Sequence, residues 1–113
     1  MAIFKIAFDK TNGNEGGYSN DPDDRGGETY AGITRKNFPK WKGWGIVDLH
    51  KPLKQGAIIN DDILKHFEEE FYENNFWKPI GGDKIESQEL ANQAYDFAVN
   101  AGVTAALRLL SES

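Results

Sequence analysis

Glu15 to Thr34 reads Glu-Gly-Gly-Tyr-Ser-Asn-Asp-Pro-Asp-Asp-Arg-Gly-Gly-Glu-Thr-Tyr-Ala-Gly-Ile-Thr. Its five glycines, with Pro22 and the aspartates Asp21, Asp23 and Asp24, are wrong for a helix and predict a loop or short hairpin whose backbone can lie close to a ligand. Segments of this kind present polar groups at the rim of a rigid scaffold. An ordinary surface hairpin has a similar composition, so the carboxyl groups must decide between the two. Cleaving a glycosidic bond takes a protonated acid on the leaving oxygen and a second polar centre across the sugar. Glu15 and Asp24, with Thr29 five residues further on, are residue types that supply both. Upstream, Ile3, Phe4, Ala7 and Phe8 fall at helical spacing and Asn12 with Gly13 gives a stop. The chain is therefore expected to open with a helix ending just before Glu15. A carboxyl half-buried where that helix meets a cleft has its pKa raised and keeps its proton near neutral pH.

The same window resembles the signature of the glycoside hydrolase 108 family of lysozyme-like muramidases. The shared elements are Glu15 to Tyr18, Asn20 to Pro22, Asp24, Gly26 with Gly27, Thr29, and Gly32 to Thr34. Downstream, Phe71, Tyr72, Trp77 and Pro79, then Asp96, Phe97, Ala98, Asn100, Gly102 and Ala106 to Leu110, are similar to the family's later helices. The resemblance implies hydrolysis of the β-1,4 bond between N-acetylmuramic acid and N-acetylglucosamine in peptidoglycan, with Glu15 as general acid and no cofactor. It places Asp24 and Thr29 as catalytic partners and Tyr18, Asn20, Asp21, Tyr30 and Asn100 as substrate contacts. Phage-type lysozymes set the Asp six residues before the Thr, a spacing that Asp23 meets, whereas Asp24 holds the family's place ahead of Gly-Gly. The second carboxylate is thus Asp24, with Asp23 and Asp21 as alternatives. Family members also run past the equivalent of Leu110 into a helical segment described as peptidoglycan binding. The expectation is one domain over residues 1–113 that lacks the C-terminal part of such a segment, which begins near residue 87.

Composition narrows the function. A chain of 113 residues has the length of one domain, and 39% hydrophobic content with three Trp, four Tyr and seven Phe can build one core. The net charge of −5 opposes sequence-independent grip on nucleic acid, which needs cations to neutralise phosphates. It also opposes strong attraction to an anionic wall, so recognition is expected from the cleft, a partner or a further segment. There is no cysteine, and hence no disulfide. Met1 to Phe8 is too short for a secretory leader, and no stretch approaches the ~20 apolar residues of a membrane span. A monomer, cytoplasmic as synthesised, is expected, and the resemblance implies that a holin or secretion machinery delivers it to the wall.

Along the rest of the chain, Ile33 to Phe38 is expected to form one or two helical turns before Pro39, and Lys40 to Ala57 a loop. Asn60 or Asp61 can cap a helix in which Ile63, Phe67 and Phe71 recur every four residues beside Leu64, Tyr72 and Phe76. Ser87 can cap the next, with Leu90, Ala94, Phe97, Ala98 and Ala101 as its apolar stripe. Gly102 breaks that pattern, and Val103, Ala106, Leu107 and Leu110 start another. The expected class is α+β, mainly helical and lysozyme-like, with a small β-hairpin or loop lobe flanking the active-site cleft.

The same residue types also suit other roles. Tyr18, Tyr30, Trp41 and Trp44 can stack on sugar faces or pack the core. Asn100 and Asp96 can touch substrate or pin helices through hydrogen bonds, and Glu28 is expected to face solvent. Asp21, Asp23, Gly26 and Thr29 fall on positions one, three, six and nine of an EF-hand loop, but Arg25 and Gly32 occupy positions five and twelve, where calcium needs oxygen ligands. His50 and His66 are the only histidines and form no zinc motif, so no metal is expected. The remaining alternative is a non-catalytic peptidoglycan-binding or secretion-accessory domain of the same fold.

Overall fold

The computed structural model describes residues 1–13, 17–20 and 27–112. Its elements are α1 (Phe4–Asn12), strands β1 (Tyr18–Asn20), β2 (Glu28–Tyr30) and β3 (Ile33–Thr34), then α2 (Gly43–Leu49), α3 (Asp62–Tyr72), α4 (Gln88–Ala101) and α5 (Val103–Ser111). A π-helical turn (Glu73–Trp77) and two 3₁₀ turns (Lys78–Ile80, Gly82–Lys84) connect α3 to α4. The chain forms two compact units, one of Met1–Gly13 with Glu69–Ser113 and one of Asn14–Glu68.

The first unit is built on aromatic rings. Trp77 and Tyr95 are fully buried, and Phe4 meets both edge-on at centroid distances of 5.6 Å. Such tilted contacts suit the ring quadrupoles and add to the area they bury. The polar ends of both rings are satisfied: the Trp77 indole donates to Asp83 Oδ1 at 2.8 Å and the Tyr95 hydroxyl to Asn12 Oδ1 at 2.5 Å. Gly82 lies so near the Trp77 ring that a Cβ there would sit 2.3 Å from it. Ser87 caps α4 as expected, its hydroxyl accepting the Leu90 N–H at 3.2 Å. Gly102, at φ +100, separates α4 from α5, a backbone state that favours glycine.

The buried faces take in Leu64, Phe71 and Tyr72 of α3, Ala94 and Ala98 of α4 and Ala106 of α5, as expected, and depart from the predicted stripes at their edges. In α3 Leu64 is fully buried while Ile63 is 61% exposed, and Asp61 caps the helix by accepting the Leu64 N–H at 2.9 Å. In α4 the buried side chains are Ala91, Ala94, Tyr95 and Ala98, and Phe97 is turned outward. Burying the Tyr95 ring against Phe4 and Trp77 outweighs burying Phe97.

The second unit carries an antiparallel sheet of order β1-β2-β3. Here two expectations are corrected. Ile33 to Phe38 does not open with helical turns: Ile33 and Thr34 form β3, with Ile33 opposite Tyr30. Ala31 and Gly32 turn the chain at φ +50 and +82, the doubly positive pattern of a two-residue hairpin turn. Lys40 to Ala57 is not all loop, since Gly43–Leu49 is helical. Glycines on both sides of Trp44 penalise that helix locally, but it buries Trp44 and Val47 and the Trp44 indole donates to the Phe38 carbonyl at 2.8 Å. Packing overrides propensity there. Gly17 permits the closest backbone approach, as a Cβ on it would fall 1.9 Å from the Ala57 carbonyl oxygen, the atom that accepts the Tyr18 N–H at 2.8 Å.

Candidate active site

The register of the sheet sorts its side chains into two faces. Tyr18 opposes Tyr30, which opposes Ile33, and Ser19 opposes Thr29, which opposes Thr34. Directly paired residues point to the same side and neighbours along a strand to opposite sides. One face is therefore the buried row Tyr18, Tyr30, Ile33, and the other a row of hydroxyls, Ser19, Thr29, Thr34. Thr29 stands in the middle of that row, half-buried. Ser19 Oγ accepts from Gln55 Nε2 at 2.8 Å. Thr34 Oγ1 is buried and has no hydrogen-bond partner among the described residues. An unsatisfied buried hydroxyl costs about 1–3 kcal/mol. Thr34→Val, which keeps the volume and removes the group, is accordingly expected to stabilise the chain by about 1 kcal/mol, read as a rise in unfolding temperature.

Tyr18 and Tyr30 do not offer stacking faces. Both rings are buried, and their hydroxyls are occupied: Tyr18 donates to Glu28 Oε2 at 2.6 Å, and Tyr30 accepts the Ile59 N–H at 2.9 Å. They take the packing role. Trp44 is likewise buried, and the half-buried Trp41 donates its indole N–H to the Phe67 carbonyl at 3.2 Å. Asn20 is exposed at the end of β1, opposite Glu28. Asn100 is exposed on α4 and bonds within its own helix, to the Asp96 carbonyl at 2.8 Å and Asp96 Oδ1 at 3.3 Å. Asp96, rather than Asn100, reaches another helix, accepting from Thr11 on α1 at 3.2 Å. Glu15, Asp21, Asp23 and Asp24 lie outside the described residues.

Glu28 does not face solvent as expected. Its side chain is only 12% exposed and anchors an ion network: Oε1 accepts from Arg35 at 2.9 Å, and Oε2 from Lys51 at 2.5 Å and from Tyr18. Arg35 and Lys51 also hold Asp48 on α2, at 2.8 and 2.9 Å, and the Arg35 guanidinium lies 5.0 Å from the Trp44 ring centre. Burial alone would raise the Glu28 pKa, but hydrogen bonds from Lys51, Tyr18 and Arg35 together hold it below the usual carboxylate value. Asp48 is held well below that range by Arg35 first and Lys51 second. Burial and the hydrogen bond to Glu28 push the Tyr18 phenol up, so it stays a donor. The sequence signal for this network was weak, since Lys51 is 23 residues from Glu28 and the hairpin, α2 and the turn after it lie between them. The network leaves Glu28 ionised with both oxygens engaged, unsuited to donate a proton but suited to fix the strand that bears Thr29.

Among the described residues no group of three His, Cys, Asp or Glu side chains could hold a metal ion, and no helix is long and apolar enough to cross a membrane. The family model for glycosyl hydrolase 108 matches residues 8–102. The solved structure of SagA from Brucella abortus matches 96% of this chain and 57% of its own, at 26% identity and a TM-score of 0.56. The chain thus spans just over half the length of that relative. Comparison with the curated proteins gives no match. The shared fold bears out the mainly helical, lysozyme-like α+β class.

Proposed function

We propose, from the premise that this chain belongs to the glycosyl hydrolase 108 family, that it hydrolyses the β-1,4 bond between N-acetylmuramic acid and N-acetylglucosamine in peptidoglycan. The observation that carries this is the family match over residues 8–102, which encloses the whole of Glu15 to Thr34. Glu15 gives its proton to the glycosidic oxygen as the bond from C1 to that oxygen breaks. Asp24 and Thr29 hold the water that attacks C1, and Asp24 takes the proton the water loses. The placement of Thr29 at the centre of a hydroxyl row, on a strand fixed at Glu28 and Tyr30 on either side, supports it as the water-holding group. Pre-set donors and acceptors of this kind lower a barrier because they need no reorganisation during reaction. The enzyme would meet its substrate after release or export, through a holin pore or secretion machinery.

The test is digestion of purified peptidoglycan followed by mass analysis of the fragments. The expected products are muropeptides with a reducing N-acetylmuramic acid end. Sedimentation with intact peptidoglycan and no released fragments would instead identify a binding domain.

A further inference from the structure

The cations of this acidic chain are unevenly placed. Between residues 35 and 54 stand Arg35, Lys36, Lys40, Lys42, Lys51 and Lys54 against the single carboxylate of Asp48, while the rest of the chain carries the negative excess. Arg35 and Lys51 are engaged by Glu28 and Asp48. Lys36, Lys40 and Lys42 are exposed and have no ion-pair partner among the described residues.

Lys36 and Lys40 stand in two successive turns that link β3 to α2, and Lys42 immediately precedes α2. The Phe38 N–H donates to the Thr34 carbonyl at 3.0 Å and the Trp41 N–H to the Phe38 carbonyl at 3.2 Å. The Trp44 indole on α2 donates into these turns at the Phe38 carbonyl, and the Trp41 indole ties them to the Phe67 carbonyl. The cations are thus carried on a braced frame, with Phe38, 37% exposed, between them. The first of these turns follows β3 directly, with Lys36 two residues beyond Thr34, so it is joined to the sheet that bears Thr29. Solvated surface lysines are common, but these three, exposed and without an ion-pair partner among the described residues, with the Lys42 ammonium 6.0 Å from the Phe67 ring centre, run against the overall sign of this chain. With a Debye length of about 8 Å at physiological ionic strength, only charges close to a bound polymer are felt. A local positive surface can then hold an anionic polymer that the net charge would repel.

We infer that Lys36, Lys40 and Lys42 form a docking surface for the carboxylates of the peptide stems of peptidoglycan. This rests on the proposal that peptidoglycan is the substrate. It resolves the conflict between a net charge of −5 and an anionic wall.

The test is sedimentation with purified sacculi on ice, in a Glu15→Gln background so that the polymer stays intact, over a series of salt concentrations. The parent chain is expected to bind at low salt and to release as salt rises. Replacing the three lysines with glutamate is expected to weaken binding roughly tenfold or more at low salt and flatten the salt dependence, with circular dichroism unchanged. Sacculi whose carboxylates have been converted to amides should lose the parent chain to the same degree. Equal binding by parent and triple variant, no binding by the parent, or undiminished binding to amidated sacculi would each overturn the inference. Loss of binding only when phosphate-bearing wall polymers are stripped would also overturn it, in favour of a phosphate ligand. Binding is read without turnover, so a failure of the parent enzyme to cleave would sink the hydrolase proposal and leave this result standing.

Discussion

Glu15→Gln is expected to lower the rate of muropeptide release from peptidoglycan about 10³-fold, within the range that a positioned general acid contributes. The substitution keeps the volume and one acceptor of the side chain and removes the transferable proton. The leaving sugar oxygen must then depart as an alkoxide or wait for a proton from water, and no other group assigned to the site supplies one: Thr29 is a hydroxyl, and Asp24 is required ionised to take a proton from the attacking water. The loss should fall on kcat with KM little changed, because the proton is needed only as the bond breaks. Asp24→Asn, compared with the same change at Asp21 and at Asp23, would identify the second carboxylate by the largest drop. Proton NMR of the first-formed product completes the assignment, since inversion at C1 fits a water held across a gap of about 6.5–9.5 Å and retention fits a covalent intermediate at about 5–5.5 Å. A Glu15→Gln chain that releases fragments at the parent rate would remove Glu15 from the mechanism.

The helices were legible in the sequence to the degree that their signals were local. The α1 stop at Asn12 and Gly13, the Asp61 and Ser87 caps and the Gly102 break each act within a few residues, and the structure has them in those roles. The edges of the stripes in α3 and α4 were less so, because Ile63 stands beside Leu64 and Leu90 beside Ala91, and adjoining apolar residues offer neighbouring faces. Only the partner surface chooses. α2 and β3 were missed for one physical reason: their residues are poor or ambiguous formers that gain their structure from burying Trp44, Val47 and Ile33. The signature from Glu15 to Thr34 was legible as a chemical pattern, whereas the Glu28 network depends on chain reversals at Ala31 and beyond α2 that no window of residues displays.

That network carries the second large effect. Glu28→Gln is expected to cost about 2–3 kcal/mol at pH 7, below the ~3–5 kcal/mol typical of breaking a buried pair, because Arg35 and Lys51 are each 35% exposed and can turn to water and to Asp48. Asp48→Asn, at a carboxylate 42% exposed, should cost no more than about 1 kcal/mol. The order of the two is the stronger claim: burial, and not the number of ion pairs, decides which carboxylate matters. The pH dependence follows from the direction of the Glu28 shift. Its folded pKa is depressed, so the stability it contributes is fully present above the unfolded value of about 4.3 and is lost as pH falls through the folded value. The gap in unfolding free energy between parent and Glu28→Gln should therefore be widest near neutral pH and shrink steadily below about pH 4. Lys51 is shifted up, with Glu28 the first cause, so its contribution holds below its ordinary pKa and fades only in strong alkali, outside that window. Urea unfolding of the three chains at pH 7 and pH 3 measures all of this. No gap at either pH would mean that Glu28 stabilises the strand through shape alone, and that the charges around it are incidental to holding Thr29 in place.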